Sequence, residues 1–335
     1  MPDRAPVVAS VVSPSHLVEK VLPRYDLGQV ERCRFFQRGL NDTYEVTTSQ
    51  GPFFLRIYRR GWRSRREIES ELSMIDHLRD DGLGVSRALT RRDGRRISRI
   101  AAPEGTRWAV VFASAPGSPP TMDVAHSTSY GELVAQLHQS WDRMRPAPAR
   151  FHIDATHLID DSLAAIRRQF GHRRAEMKGL HELGDGLRDA ISRLEPGTAP
   201  VYGACHGDHH GGNVHVDDDG HLTLFDFDCG GFGWRSYDIA VFLWSRTLKH
   251  GVKGRGRAKA TRRYNAFLRG YESVRTLTPG EKEAVSIFVA ARHVWLMGMH
   301  VGGADRWGHH FVQDAYLDRN LAFLGAWIER EKLFG

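Results

Sequence analysis

The sequence predicts an α+β, bilobal protein: a small strand-rich N-lobe and a larger, mainly helical C-lobe. Three observations predict it. From about Val30 to Phe112, short runs rich in aromatic and β-branched residues dominate. From about Ser127 onward apolar residues recur at helical spacing instead. Between the two, Ala115-Pro116-Gly117-Ser118-Pro119-Pro120 breaks both patterns and reads as a hinge or linker. The expected division is therefore residues 1–114 and 115–335, with a ligand expected in the cleft between two such lobes.

In the first half, residues 30–37, 43–48, 53–58 and 107–112 read as strands, and Ser49-Gln50-Gly51-Pro52 as the turn between the second and third. Ile68, Leu72, Ile75 and Leu78 place one helix over residues 65–79. The first 25 residues carry no clear pattern. In the second half a helix is expected around Leu133 and Leu137, and others near 156–169, 184–194, 236–249, 258–272, 280–301 and 311–331. The exception is NVHVDDDGHLTLFDFD, residues 213–228, which alternates about Asp219-Gly220 and reads as a β-hairpin. Its Asp217–Gly220 run lacks the spacing and terminal Glu of a calcium loop and reads as a turn.

The bulk composition is that of a globular protein: 335 residues, 41% apolar, 26% charged, net charge +7. No apolar run approaches the ~20 residues of a membrane span, and the N-terminus does not read as a signal peptide. Cys33, Cys205 and Cys229 are too scattered for a disulfide framework or a metal knuckle, which fits a reducing cytoplasm. Two basic stretches stand out, Arg56–Arg66 with six arginines and Lys249–Arg263 with seven Lys/Arg and no acid. They read either as solvated faces or as a positive field for a polyphosphate or other anion. No nucleic-acid recognition motif accompanies them, so neither a nucleic-acid nor a membrane partner is expected.

The densest polar cluster is Cys205-His206-Gly207-Asp208-His209-His210-Gly211-Gly212-Asn213, followed eighteen residues after Asp208 by Asp226 within Phe225-Asp226-Phe227-Asp228. The pattern is H-x-D-x-x-x-x-N, an apolar hairpin, then an Asp. Phosphoryl transfer requires these residue types. A carboxylate orients an acceptor hydroxyl and takes its proton, and an Asn carbonyl with a second carboxylate supplies the oxygens that magnesium prefers. A metal-hydrolase site built from His206, Asp208, His209 and His210 is the rival reading, but neither the helical i, i+4 spacing nor the strand spacing of zinc ligands is present.

The segment HGDHHGGNVHVDDDGHLTLFDFDCGGFGWRSYDIAVFLW resembles the catalytic core of the aminoglycoside phosphotransferase-like kinases, a family that includes homoserine kinase type II, choline kinase and stress response kinase A. The resemblance covers roughly residues 30–330 and implies a protein-kinase-like fold, ATP and Mg²⁺ as cofactors, and a small-molecule hydroxyl substrate. It implies that Asp208 is the catalytic base, Asn213 and Asp226 the metal ligands, and Asp228 an acid close by. Asp238, in Tyr237-Asp238-Ile239-Ala240, is implied to hold the catalytic-loop backbone.

In the N-terminal half, Gln37–Val46 resembles the phosphate-covering hairpin of homoserine kinase type II, with Gly39, Asn41 and Thr43 at its G-x-x-N-T-x-Y-like positions. Backbone N–H groups at such a turn can cradle phosphate oxygens without a GxGxxG motif. Phe54-Leu55-Arg56-Ile57-Tyr58 puts Arg56 where kinases usually keep a phosphate-contacting Lys, and ELSMIDHL makes Glu71 its expected partner, with Glu67 as fallback. WAVVFASAPG, residues 108–117, resembles the adenine-holding hinge, so backbone groups of Ala113 and Ala115 are the expected base contacts. His138, in a G-x-x-x-A-x-L-H helix, reads as a hydrogen-bonded packing residue. Other readings of the whole are a Ser/Thr protein kinase, an aminoglycoside-type antibiotic phosphotransferase and a non-catalytic nucleotide scaffold. Gly207 replaces the Arg of the protein-kinase H-R-D motif, and the intact Asp208, Asn213 and Asp226 speak against the scaffold.

Overall fold

The computed structural model describes residues 5–194 and 199–334. The chain forms two compact units. One runs to Pro116 and takes in Thr223–Phe225; the other comprises Gly117–Leu222 and the chain from Asp226 onward.

The first unit contains α1 (Pro14–Lys20), β1 (Val30–Arg38), β2 (Asp42–Thr48), β3 (Gly51–Ile57), α2 (Arg65–Asp80), β4 (Ser98–Ala102) and β5 (Gly105–Ala113). The five strands form one antiparallel sheet in the order β1-β2-β3-β5-β4. Strand alternation sets its faces: Tyr44, Val46, Leu55, Ile57, Ala109 and Val111 are buried on one side, where Leu17, Val21 and Tyr25 cover them. The N-terminal segment that shows no pattern in the sequence is thus the lid of this core. β4, SRIAA, was not expected; with one strongly apolar residue, it becomes a strand by pairing with β5. A capping box between Ser64 and Glu67 starts α2, which buries Ile68, Leu72, Ile75 and Leu78 at the predicted spacing. On the same face lies Glu71, fully buried and charged.

The second unit is helical: α3 (Val124–Arg143), α4 (Asp161–Phe170), α5 (Arg174–Ser192), α6 (Arg235–His250), α7 (Gly254–Glu272), α8 (Pro279–Gly302), α9 (Ala304–Trp307) and α10 (Asp314–Glu331). A π-helical turn over Thr156–Asp160 leads into α4. α5 begins ten residues before its expected start, because no side chain caps it and its first turns are polar. The unit also holds β6 (His152–Ile153), β7 (Tyr202–Cys205), β8 (Val214–Val216) and β10 (Gly231–Trp234), while β9 (Leu222–Leu224) begins in it and continues into the Thr223–Phe225 segment of the first. β8 and β9 are the expected hairpin, while β6, β10 and β7 form a small sheet that short, Gly-rich YGAC and GFGW did not announce. The central helix α8 has the length and apolarity of a membrane span, but 72% of its most apolar window is buried inside the protein, as for a core helix.

The break in composition at Ala115–Pro120 is pinned at one point. Ser118 and Val216 exchange backbone hydrogen bonds of 3.0 and 2.9 Å. Gly117, at φ +76°, brings its backbone so close to Val216 that a Cβ would lie 1.9 Å from the Val216 carbonyl oxygen.

Candidate active site

The loop from His206 to Asn213 joins β7 to β8, and Asp238 in the first turn of α6 shapes it. The Asp238 carboxylate is fully buried and accepts from the backbone N–H of His206 and of Gly207, both at 2.8 Å. His138 of α3 lies 3.0 Å from the same carboxylate through Nε2 and 2.7 Å from the Tyr271 hydroxyl through Nδ1, so it packs and bonds as expected. Burial alone would raise the Asp238 carboxyl, but His209 and His138 hold it well below the usual carboxylate range. Gly207 has φ +77°, and a Cβ there would lie 2.2 Å from the Cys229 carbonyl oxygen. No residue with a side chain fits, which is the local reason for a Gly at this position.

On this loop stands Asp208. Its Oδ2 accepts from Asn213 Nδ2 at 3.0 Å and faces His210 Nε2 at 3.4 Å. Its Oδ1 accepts from Arg292 Nη2 at 2.5 Å. Desolvation pushes the Asp208 carboxyl up, but the charges of His210 and Arg292 outweigh it and hold the group well below its ordinary range. Asn213 also donates to the Asp208 carbonyl at 3.1 Å, so its amide nitrogen is engaged and its side-chain oxygen is turned to other use.

Asp226 lies in the left-handed region, φ 64° and ψ 61°. For a residue with a side chain this costs of order 1–3 kcal/mol, and such strain gathers at functional sites. Its carboxylate acts on His210 electrostatically. The turn behind it is strapped by Arg150, which donates to the carbonyls of Asp228 and Gly230, both at 2.6 Å. Asp228 itself is 1% exposed. Asn213 and Asp226 offer an amide oxygen and a carboxylate, the hard donors that fit a magnesium ion.

Two histidines in this loop serve structure. His206 accepts from Asp208 N–H at 3.2 Å and stacks on His209 at 4.5 Å, and His209 Nε2 lies 3.3 Å from Asp238. Among the described residues, His206, Asp208, His209 and His210 form no common metal-ligating group.

In the first unit, Arg56 donates to Glu71 at 2.6 Å, and the Tyr58 hydroxyl donates to the other Glu71 oxygen at 2.9 Å. Glu67, the fallback, closes the α2 capping box. The Arg56 guanidinium also stacks over Phe112 at 4.7 Å. Thr43 pairs with Arg56 across β2 and β3. Gly39 and Asn41 form the β1–β2 turn, where Gly39 N–H donates to the Asn41 carbonyl at 2.9 Å. The Asn41 side chain is turned inward and accepts from Arg59 N–H at 3.1 Å. At the end of β5, Ala113 N–H donates to the Arg87 carbonyl at 2.9 Å, and its carbonyl accepts the Ser86 hydroxyl at 2.5 Å. The Ala113 N–H is thus engaged, and its carbonyl already accepts one hydrogen bond. Ala115 follows it, 9% exposed.

Two residues bond to the site from outside its sequence segment. Arg292 is 3% exposed in mid-α8 and bonds Asp208, the Gly207 carbonyl (3.1 Å) and the Tyr237 hydroxyl (3.2 Å). Arg150 carried no signal in the sequence.

Comparison with known proteins bears on family and fold. Residues 32–277 match the family model of the phosphotransferase enzyme family. The chain is 34% identical over 321 residues to an uncharacterized protein of Synechocystis sp., covering 95% of this chain and 86% of that one. It is 23% identical over 300 residues to the amicoumacin kinase of Bacillus subtilis (87% and 86%) and 28% identical over 273 residues to a homoserine kinase of Granulibacter bethesdensis (79% of each). Among solved structures, an amicoumacin kinase in complex with AMP-PNP, Ca²⁺ and Ami superposes with a TM-score of 0.74 at 21% identity, covering 96% of this chain and 94% of that one. A microcompartment-associated aminopropanol kinase does so with a TM-score of 0.74 at 23% identity (95% and 99%). These two likenesses show the fold, and the match over most of the sequence shows the family: the chain is a kinase of the phosphotransferase enzyme family.

Proposed function

We propose that the protein transfers the γ-phosphoryl group of ATP, with Mg²⁺, to a hydroxyl group of a small molecule such as an amino acid, amino alcohol, sugar or related metabolite. The observation that carries this reading is the placement of Asp208, a partly buried carboxylate held ionised on a loop whose backbone Asp238 fixes. In the reaction the acceptor oxygen bonds to the γ-phosphorus, the bond to the β-phosphate oxygen breaks, and ADP leaves with the electron pair. The acceptor proton passes to Asp208, which keeps lone pairs beyond those engaged by Arg292, Asn213 and His210. Asn213 and Asp226 are the groups that would hold magnesium, which when bound would neutralise developing phosphate charge. Arg56, oriented by Glu71 and Tyr58, supplies a fixed cation for the nucleotide phosphates. The turn at Gly39, Asn41 and Thr43 and the backbone of Ala113 and Ala115 complete the proposed nucleotide contacts.

Relatives named as homoserine kinases and a fold neighbour named as an aminopropanol kinase favour hydroxyl-bearing amino compounds within this class. The test is ADP release with ATP and Mg²⁺ against pooled hydroxyl metabolites and a generic protein substrate. Turnover confined to the protein substrate would replace this reading by the protein-kinase one.

A further inference from the structure

Arg246, on α6, is a cation without a counter-charge. It is 7% exposed, yet among the described residues no carboxylate pairs with it. Among the described residues its one side-chain hydrogen bond is from Nε to Ser245 Oγ at 3.3 Å, and Phe242 lies beneath the guanidinium at 5.6 Å. Leaving a charge buried and unpaired is strongly unfavourable, so a fold that keeps one is shaped for something that brings the opposite charge.

The surroundings add positive charge. Arg263 of α7 acts on Arg246 electrostatically and is anchored by its Nε to the Met122 carbonyl at 2.7 Å. Four cations, Arg263, Lys259, Arg246 and Lys249, act together on His250, whose Nε2 is buried without a partner. The other basic groups of the site are committed: Arg292 and His210 both face Asp208.

The place is informative. A Cβ added to Gly211 would lie 3.2 Å from Arg246 Nη2 and 3.0 Å from Met122 Cγ. Arg246 therefore rests against the catalytic loop three residues beyond Asp208, with Met122 on its other side, itself held at φ 52°. Gly at 211 leaves the guanidinium room against the backbone.

We propose that Arg246, supported by Arg263, is the receptor for an oxyanion, a carboxylate or phosphate group carried by the acceptor. The proposal rests on the phosphotransferase reading and narrows its acceptor class. An acceptor anchored through its anionic end at Arg246 has its hydroxyl end to present toward Asp208. A polycationic acceptor would meet like charge here, at a cost that excludes it.

The test measures binding rather than turnover, so its failure is separable from failure of the kinase reading. The full chain, saturated with ADP and Mg²⁺, is titrated with orthophosphate against chloride of matched ionic strength while the melting temperature is followed. Wild type and Asp208→Asn should show a saturable rise of roughly 5 °C or more at a hundredfold excess over Kd. Arg246→Gln should lose that rise, Arg246→Lys should keep part of it, and without phosphate Arg246→Gln should melt no lower than wild type. Acetate in place of phosphate distinguishes carboxylate from phosphate recognition. An equal phosphate response in wild type and Arg246→Gln overturns the proposal. So does an Arg246→Gln protein that is less stable than wild type without phosphate or fails to fold, because the arginine is then a structural cation.

Discussion

Arg292, from the middle of α8, donates to Asp208 Oδ1 at 2.5 Å and to the carbonyl of the preceding Gly207 at 3.1 Å. Its guanidinium is stacked over Trp295 at 4.3 Å and Trp244 at 5.0 Å. The Asp208 carboxylate is therefore gripped from a helix 84 residues away in sequence, while Asn213 holds its other oxygen. These bonds fix the orientation of the group proposed as the base.

Asp208→Asn should abolish phosphoryl transfer and leave nucleotide affinity within a few-fold of wild type. The amide preserves shape but cannot take the acceptor proton, a role that contributes typically ~10²–10⁴-fold. ADP release and calorimetric nucleotide titration check the two halves. A folded Asp208→Asn protein with near-normal turnover would remove Asp208 as the base.

Asp226→Ala should weaken ATP binding only when magnesium is present, because the carboxylate meets the phosphates through the metal. Paired ATP titrations with and without Mg²⁺ should show the metal effect shrinking in the variant. An undiminished effect would transfer the ligand role to Asp228, which is buried beside it.

Glu71→Ala should destabilise the first unit by about 3–5 kcal/mol, since it leaves Arg56 buried without its carboxylate. Arg56→Lys should retain more catalytic activity than Arg56→Ala: the charge survives, but the fork that reaches Glu71 does not. Urea unfolding and steady-state kinetics measure these separately. Equal kinetics for both Arg56 variants and wild type would move the phosphate contact elsewhere.

Acidification should cost stability between about pH 6.5 and pH 3. Burial lowers His293 to about 3 and His300 to about 4. His293 is moreover an acceptor, since Trp244 Nε1 donates to its Nδ1 at 3.2 Å. The folded state thus binds fewer protons than the unfolded chain in this window, so stability is full above the unfolded value of about 6.5 and falls as pH drops toward the folded values. Each histidine contributes at most about 1.4 kcal/mol per pH unit. His300→Asn should reduce the slope of unfolding free energy against pH; an unchanged slope would show that His300 titrates normally.

What could be read from the sequence depended on how local the signal was. Asp208, Asn213 and Asp226 lie within one short segment of fixed spacing, and Glu71 lies on a helix with a clear apolar period, so both were legible. Arg292 and Arg150 act on that segment from distant elements, so their bonds to it cannot be read from local spacing. Arg246 was hidden differently: it lies just before the seven Lys/Arg of Lys249–Arg263, and its burial could not be guessed. The same contrast holds for the fold. β2 alternates strictly and was found, whereas β7 and β10 are Gly-rich and exist through their pairing with each other.

The strap that Arg150 places across the carbonyls of Asp228 and Gly230 has a consequence for control. Eight residues separate Asp226 from the start of α6, and a 3-10 turn and β10 occupy seven of them. There is no slack for a segment that swings in and out when a covalent mark is added. A covalent mark placed between Asp226 and α6 would have to break these bonds rather than move a free loop.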